Sequence, residues 1–138
     1  MSGYSGTPLI KKLGIKAGQS VALVKAPKNF ARELQPLPDK IRFTSAQAAK
    51  QLDFIMLFVD STKTLQKELP KLKRKLARDG TLWVSWPKKS SGVETDLSFD
   101  TVQQSGLKIG LVDVKICAVN DIWSGLKFVY RLKDRSSG

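Results

Sequence analysis

Phe54-Ile55-Met56-Leu57-Phe58-Val59 is apolar at every position. A strand with no wet side must be covered on both faces, so this run predicts the central strand of a layered, parallel sheet. Six residues cannot cross a bilayer, which takes roughly 20. On either side of it, Ser20-Val-Ala-Leu-Val-Lys25 and Thr81-Leu-Trp-Val-Ser-Trp86 have the same covered character. Between the central run and the latter, leucines at 65, 69, 72 and 76 recur at the spacing of one apolar helix stripe. A helix is expected over 62–78, ended by Asp79-Gly80, with Pro70 either kinking it or splitting it into two short helices at Leu69-Pro70.

The outer parts of the chain read in the same way. Thr7-Pro8 predicts a cap and first turn for a short helix through Leu13, stopped by Gly14. Asn29 caps a helix over 30–35 that Pro36 and Pro38 stop. A brief strand follows over 40–44, and Ser45 caps a helix over 46–51. Asp96 or Ser98 caps another helix to about Ser105, closed by Gly106. Val112, Val114, Ile116 and Ala118 then share one strand face, with Asp113 and Lys115 on the other. Leu126, Phe128, Tyr130 and Leu132 alternate with Lys127, Arg131 and Lys133, which predicts an antiparallel hairpin. Trp83 and Trp86 are expected to share a sheet face in the core. The fold class is therefore three-layer α/β: a mostly parallel sheet flanked by helices, closed by a C-terminal antiparallel hairpin. It is expected to form one domain over 1–138, with 1–18 as a lead-in and 133–138 as a loose tail.

Composition excludes much chemistry. The 138 residues include 24 Lys+Arg against 12 Asp+Glu, a net charge of +12, with no histidine and one cysteine. Without histidine there is no Ser-His-Asp triad, no Cys-His pair and no His-ligated zinc or iron. No metal is expected. Cys117 cannot form an internal disulfide, and it reads as a small packed residue in a reduced compartment. The first ten residues lack a basic stretch followed by an apolar one, so no secretory signal is expected and the localisation is expected to be cytoplasmic, away from membranes.

The central strand, the long helix ending in Asp-Gly, the Leu82-Trp-Val84 strand and the closing hairpin together resemble the second half of a class I SAM-dependent methyltransferase. In that family the first strand runs into a Gly-rich turn and the second ends in an acidic residue that holds the cofactor's ribose. Here the first strand ends Lys25-Ala-Pro-Lys-Asn29 and the second Arg42-Phe-Thr44, and the span from Val21 to Asp53 omits one strand-helix unit. The resemblance thus implies a truncated methyltransferase-like architecture whose SAM motifs are missing. Gly3-Tyr-Ser-Gly-Thr-Pro-Leu9, Trp83-Val-Ser-Trp-Pro-Lys-Lys89, Gly110-Leu-Val-Asp-Val-Lys-Ile-Cys-Ala-Val119 and Trp123-Ser-Gly-Leu-Lys127 are similar to a family of short bacterial proteins described as a domain of unknown function. That family brings no binding residues with it.

In open parallel sheets, ligands bind beyond the carboxyl ends of the strands. This names Lys25, Lys28, Asn29, Ser61, Thr62, Lys88, Lys89 and Ser90 as anion-binding candidates, since ammonium groups and helix N-termini both favour anions. Ordinary solvated loops explain the same residues. Asp60 could act as a base or ligand, or belong to a helix cap. The second candidate surface is the basic helix. Residues 62–78 hold seven cations and one acid, with Lys63, Lys67, Lys71, Arg74 and Arg78 on its polar side, a stripe about 22 Å long by helical rise. Charged residues belong opposite an apolar stripe, so a solvated face also explains it. Trp123, in the hairpin loop, is either a partner anchor or a ring folded back on the core.

Function is accordingly expected to be a non-catalytic or degenerate methyltransferase-like module binding an anionic ligand or partner. The alternatives are a minimal SAM- or nucleotide-dependent transferase and a nucleic-acid-associated protein using the 62–78 helix.

Overall fold

The computed structural model describes residues 7–135 of the 138. The lead-in string at 3–6 and the tail at 136–138 lie outside the described residues. In chain order the elements are α1 (Leu9–Leu13), β1 (Ser20–Val24), α2 (Phe30–Glu33), β2 (Arg42–Phe43), β3 (Leu52–Phe58), α3 (Thr62–Lys75), β4 (Leu76–Pro87), a 3-10 turn at Lys89–Ser91, α4 (Phe99–Lys108), β5 (Leu111–Ala118), β6 (Trp123–Tyr130) and α5 (Leu132–Arg135). The six strands form one sheet in the order β2-β1-β3-β4-β6-β5. β2, β1, β3 and β4 are parallel, while β6 enters antiparallel between β4 and β5.

The covered strands behave as their composition demands. From Phe54 to Val59 every residue of the central run is buried. Alternate residues feed two cores. Phe54, Met56 and Phe58 pack with Leu13, Phe30 and Leu34 under α1 and α2, whereas Ile55 and Leu57 pack with Leu65, Leu69 and Leu72 of α3 and Val102 of α4. Trp83 lies in the α1/α2 core and Trp86 in the α3/α4 core, so the expected shared face is wrong. Three positions on a period-two strand is an odd step, which puts the two indoles on opposite sides. Trp83 donates from its indole N–H to the Leu13 carbonyl at 2.9 Å, tying the end of α1 to the sheet.

Several boundaries move for tertiary reasons. α3 stops at Lys75, not Arg78, because Leu76 turns extended and pairs with Leu52 of β3. α3 runs through Pro70 as one helix rather than splitting there. Instead of a helix over 46–51 there is one turn, in which the Ser45 hydroxyl accepts from Ala48 N at 3.1 Å. β2 is only two residues long. Ser98 caps α4, and the helix passes Gly106 to Lys108. Gly106 serves packing: a Cβ there would meet the Phe128 ring at 2.1 Å.

The hairpin face expected over 112–118 is broken by a bulge between Asp113 and Lys115. Val112 opposes Val129, but Ile116 opposes Leu126, and neighbouring residues of β6 one step out of phase point to opposite faces. Val114 and Ile116 remain about half exposed, at 53% and 54%. Leu132 leaves the strand alternation for α5 and is 77% exposed. The 133–135 part of the expected loose tail is that short helix, held where Arg135 Nε donates to the Tyr130 carbonyl at 2.8 Å. No helix among the described residues is long and apolar enough to cross a membrane.

Candidate anion-binding groove

The carboxyl edge of the sheet disperses the eight loop candidates. Ser61 is consumed as the cap of α3, its Oγ accepting from Thr64 N at 3.2 Å. Thr62 N donates to Asp96 Oδ1 at 2.8 Å, and Thr95 Oγ1 donates to the Asp60 carbonyl at 2.6 Å. The chain's own carboxylate thus occupies the helix N-terminus where an external anion would be favoured. Asp60 contributes its backbone carbonyl to this arrangement, and the side-chain cap is Ser61. Asn29 stands at the start of α2 without a side-chain cap bond, and α2 has only four residues. Lys28 and Asn29 are exposed on that turn, and Lys89 and Ser90 are exposed in the 3-10 turn. Lys88 is half-buried, its backbone N–H donating to the Ile122 carbonyl at 2.7 Å and its charge acting on Cys117.

On the α1/α2 side this edge is filled by aromatic rings. Phe58, the last residue of β3, meets Phe30 edge-on at 4.8 Å between centroids and Trp123 at 5.1 Å. Trp123 therefore folds back on the core, the second of its two sequence readings. The hairpin loop is clasped to α2 by Asn120 Nδ2 donating to Glu33 Oε1 at 3.0 Å. Where β1 leaves the sheet, Lys25 adopts φ of 58°, the left-handed conformation that a glycine takes without a side chain in the way.

The hairpin face beside this cluster holds Cys117 and Lys127. Burial pushes the Cys117 thiol up, with Lys12, Lys115 and Lys88 pulling the other way. Burial pushes the Lys127 ammonium down, and the charges of Lys115 and Lys16 add to the effect. Lys115 Nζ donates to the Lys12 carbonyl at 3.0 Å and Lys12 Nζ to the Ala118 carbonyl at 3.3 Å, so both dock α1 onto β5.

The α3 side is open. The link between β2 and β3 spans residues 44–51 and forms a turn rather than a helix, and a groove of about 860 Å³ lies between that turn and α3. Lys25 and Lys50 line one side and Lys67, Lys71, Arg74 and Lys75 the other, with Glu68 as the one carboxylate. Val24, Ala46 and Leu72 contribute apolar surface to it.

The cations of 62–78 divide by what they touch. Lys75 Nζ donates to the Ala49 carbonyl at 2.6 Å and the Gln47 carbonyl at 3.2 Å, fastening the turn to α3. Lys73 donates to the Ile109 carbonyl and lies over the Tyr130 ring. Arg78 is not on the helix at all: it belongs to β4, its NH1 donating to the Asp134 carbonyl at 3.1 Å with the guanidinium 5.0 Å from the Tyr130 centroid. Lys63, Lys67, Lys71 and Arg74 are exposed and have no ion-pair partner among the described residues. The stripe expected from sequence is thereby shortened to about 16 Å, from Lys63 to Arg74. Sequence reasoning missed Lys50, Lys75 and Ser45 as groove residues. The signal was the shortness of the 44–51 link, which leaves Val24 at the end of β1 only partly buried and β2 exposed beside the turn. Among the described residues, no group of three or more His, Cys, Asp or Glu is placed to hold a metal ion.

No protein-family model and no curated protein matches the chain. Solved structures do match. A SAM-dependent methyltransferase from Aquifex aeolicus superposes with a TM-score of 0.64 at 15% identity, covering 87% of this chain and 86% of that one. The ribosomal protein L11 methylase of Lactobacillus delbrueckii subsp. bulgaricus gives 0.56 at 14% identity, covering 89% and 75%. Aeropyrum pernix fibrillarin, solved with natively bound S-adenosyl-L-methionine, gives 0.59 at 10% identity, covering 92% and 70%. The fold is that of a methyltransferase-like, Rossmann-like domain.

Proposed function

We propose that this chain is a methyltransferase-like module that binds an anionic ligand in the groove between the 45–49 turn and α3, without catalysis. The observation that carries the reading is the groove's lining, six cations against the single carboxylate of Glu68. Like charges gathered without counter-charges repel one another, and a bound anion relieves that repulsion. The enzyme reading is supported by neighbours solved with SAM, fibrillarin among them. The residues at the two strand ends do not fit that cofactor. A lysine holds the left-handed position after β1, Thr44 rather than an acid follows β2, and the ring cluster of Phe30, Phe58 and Trp123 fills the edge at β3.

Inorganic tripolyphosphate, titrated calorimetrically, is the probe. It is expected to bind, to weaken steeply with added salt, and to lose roughly tenfold or more in affinity in Lys67→Glu/Lys71→Glu. Loss of binding in Lys28→Glu/Lys89→Glu, with Lys67→Glu/Lys71→Glu unaffected, would return the site to the carboxyl edge. Heat on adding SAM alone would overturn the non-catalytic reading.

A further inference from the structure

The geometry points to a nucleoside polyphosphate as the ligand of this groove, its phosphates on the Lys67, Lys71 and Arg74 wall and its base on the apolar floor. This inference rests on the groove being the anion site. A surface that only tracks a phosphate chain needs cations and open ends. Here Val24 and Ala46, both only partly buried, add an apolar floor beneath the charges. A ligand that satisfies both parts carries a flat apolar group as well as negative charge. The volume of about 860 Å³ falls in the roughly 300–1,000 Å³ range of small-molecule sites.

The spacing of the wall fits linked phosphates. Lys67, Lys71 and Arg74 follow one another at successive helical turns, with a rise of about 6 Å and then about 4.5 Å. They point the same way, within about 40° of one line around the helix axis. Glu68 and the amide of Gln47, also in the lining, supply an acceptor for a ribose hydroxyl and a donor–acceptor pair for a base edge. Lys75, which fastens the turn through Gln47 and Ala49, sets the width of the groove.

The test compares ATP, ADP, AMP and inorganic tripolyphosphate by calorimetry on the whole chain. ATP is expected to bind most tightly and AMP most weakly, with ATP exceeding tripolyphosphate by about tenfold, the order expected from covering one base face on an apolar floor. Lys71→Glu should weaken ATP and tripolyphosphate alike, by roughly tenfold or more. Ala46→Leu fills the floor without changing charge, so it should bring ATP down to the level of tripolyphosphate while leaving tripolyphosphate unchanged. Lys11→Glu, the same charge change at an exposed position of α1, should leave both within about twofold because salt screens a distant charge. Thermal melts confirm that each variant folds, and Lys67→Glu replaces Lys71→Glu if the latter does not.

If tripolyphosphate binds through Lys71 but ATP binds no better, the nucleotide inference fails and the groove remains the anion site. If neither binds, both fail. A single-stranded oligoribonucleotide that outcompetes ATP, and that Lys63→Glu weakens as much as Lys71→Glu, would overturn the inference in favour of nucleic acid along the helix.

Discussion

The two faces of the sheet handle the same strand ends in opposite ways. On the α1/α2 face, the edge after β3 is sealed by Phe30, Phe58 and Trp123, and the hairpin loop is hydrogen-bonded to α2 through Asn120 and Glu33. On the α3/α4 face, a turn stands beside α3, and the uncovered ground between them becomes a groove edged by cations. A fold whose solved neighbours include SAM-bound proteins thus closes its core on one side while leaving a cation-lined groove on the other. The difference predicts that substitutions on the sealed face act on stability and substitutions in the groove act on binding.

The largest expected effect tests that separation. Phe58 is 2% exposed and bridges the other two rings, so Phe58→Ala should destabilise the protein by about 3–5 kcal/mol, the cost of emptying a large aromatic site in a core. Lys71→Glu, on the groove, should stay within about 0.5 kcal/mol of the parent. Urea unfolding of both variants measures the gap, and similar losses in the two would break the comparison.

What could be read from the sequence follows the same division. The covered strands were legible because an apolar residue at every position has only one comfortable place, the middle of a sheet. The apolar stripe of α3 was legible for the same reason. What was not legible was decided by partners far away in sequence. Leu76 leaves the helix because Leu52 is there to pair with it, and the bulge at Val114 depends on how β5 meets β6. The 45–49 segment carries a cap signal in Ser45, and the cap bond forms, yet the segment stops at one turn, whose Gln47 and Ala49 carbonyls accept from Lys75 of α3, a partner distant in sequence. The site was half legible. Lys67, Lys71 and Arg74 were visible as a stripe, but Lys25 and Lys50 join them only through the topology.

A smaller effect probes how tightly the sealed face is built. Ser85 is fully buried, stands in register with Phe58 and Gly125, and its Oγ has no hydrogen-bond partner among the described residues. A buried hydroxyl without a partner gives up its water for nothing, so Ser85→Ala should leave stability unchanged or raise it by up to about 1 kcal/mol. A clear loss would mean that the hydroxyl is satisfied in solution and that the face is wetter than its packing implies.

The smallest effect separates two groups at the margin of that face. Burial raises the Cys117 thiol, so from about pH 9 upward the unfolded chain loses this proton while the native chain keeps it. The native state then binds more protons, and this contribution to stability falls as pH rises. Lys127 runs the other way. Its ammonium is lowered chiefly by burial, so the native chain releases the proton first, and stability rises with pH until the unfolded group titrates near 10.5. Relative to the parent, Cys117→Ala should therefore gain stability progressively above about pH 9 while holding a constant offset near neutrality. Lys127→Met should show its greatest advantage near neutrality and lose it as pH approaches 10.5. Urea midpoints measured across that range distinguish the two slopes. Parallel profiles for all three proteins would place both groups in water and move the boundary of the sealed face inward to Trp83 and Phe58.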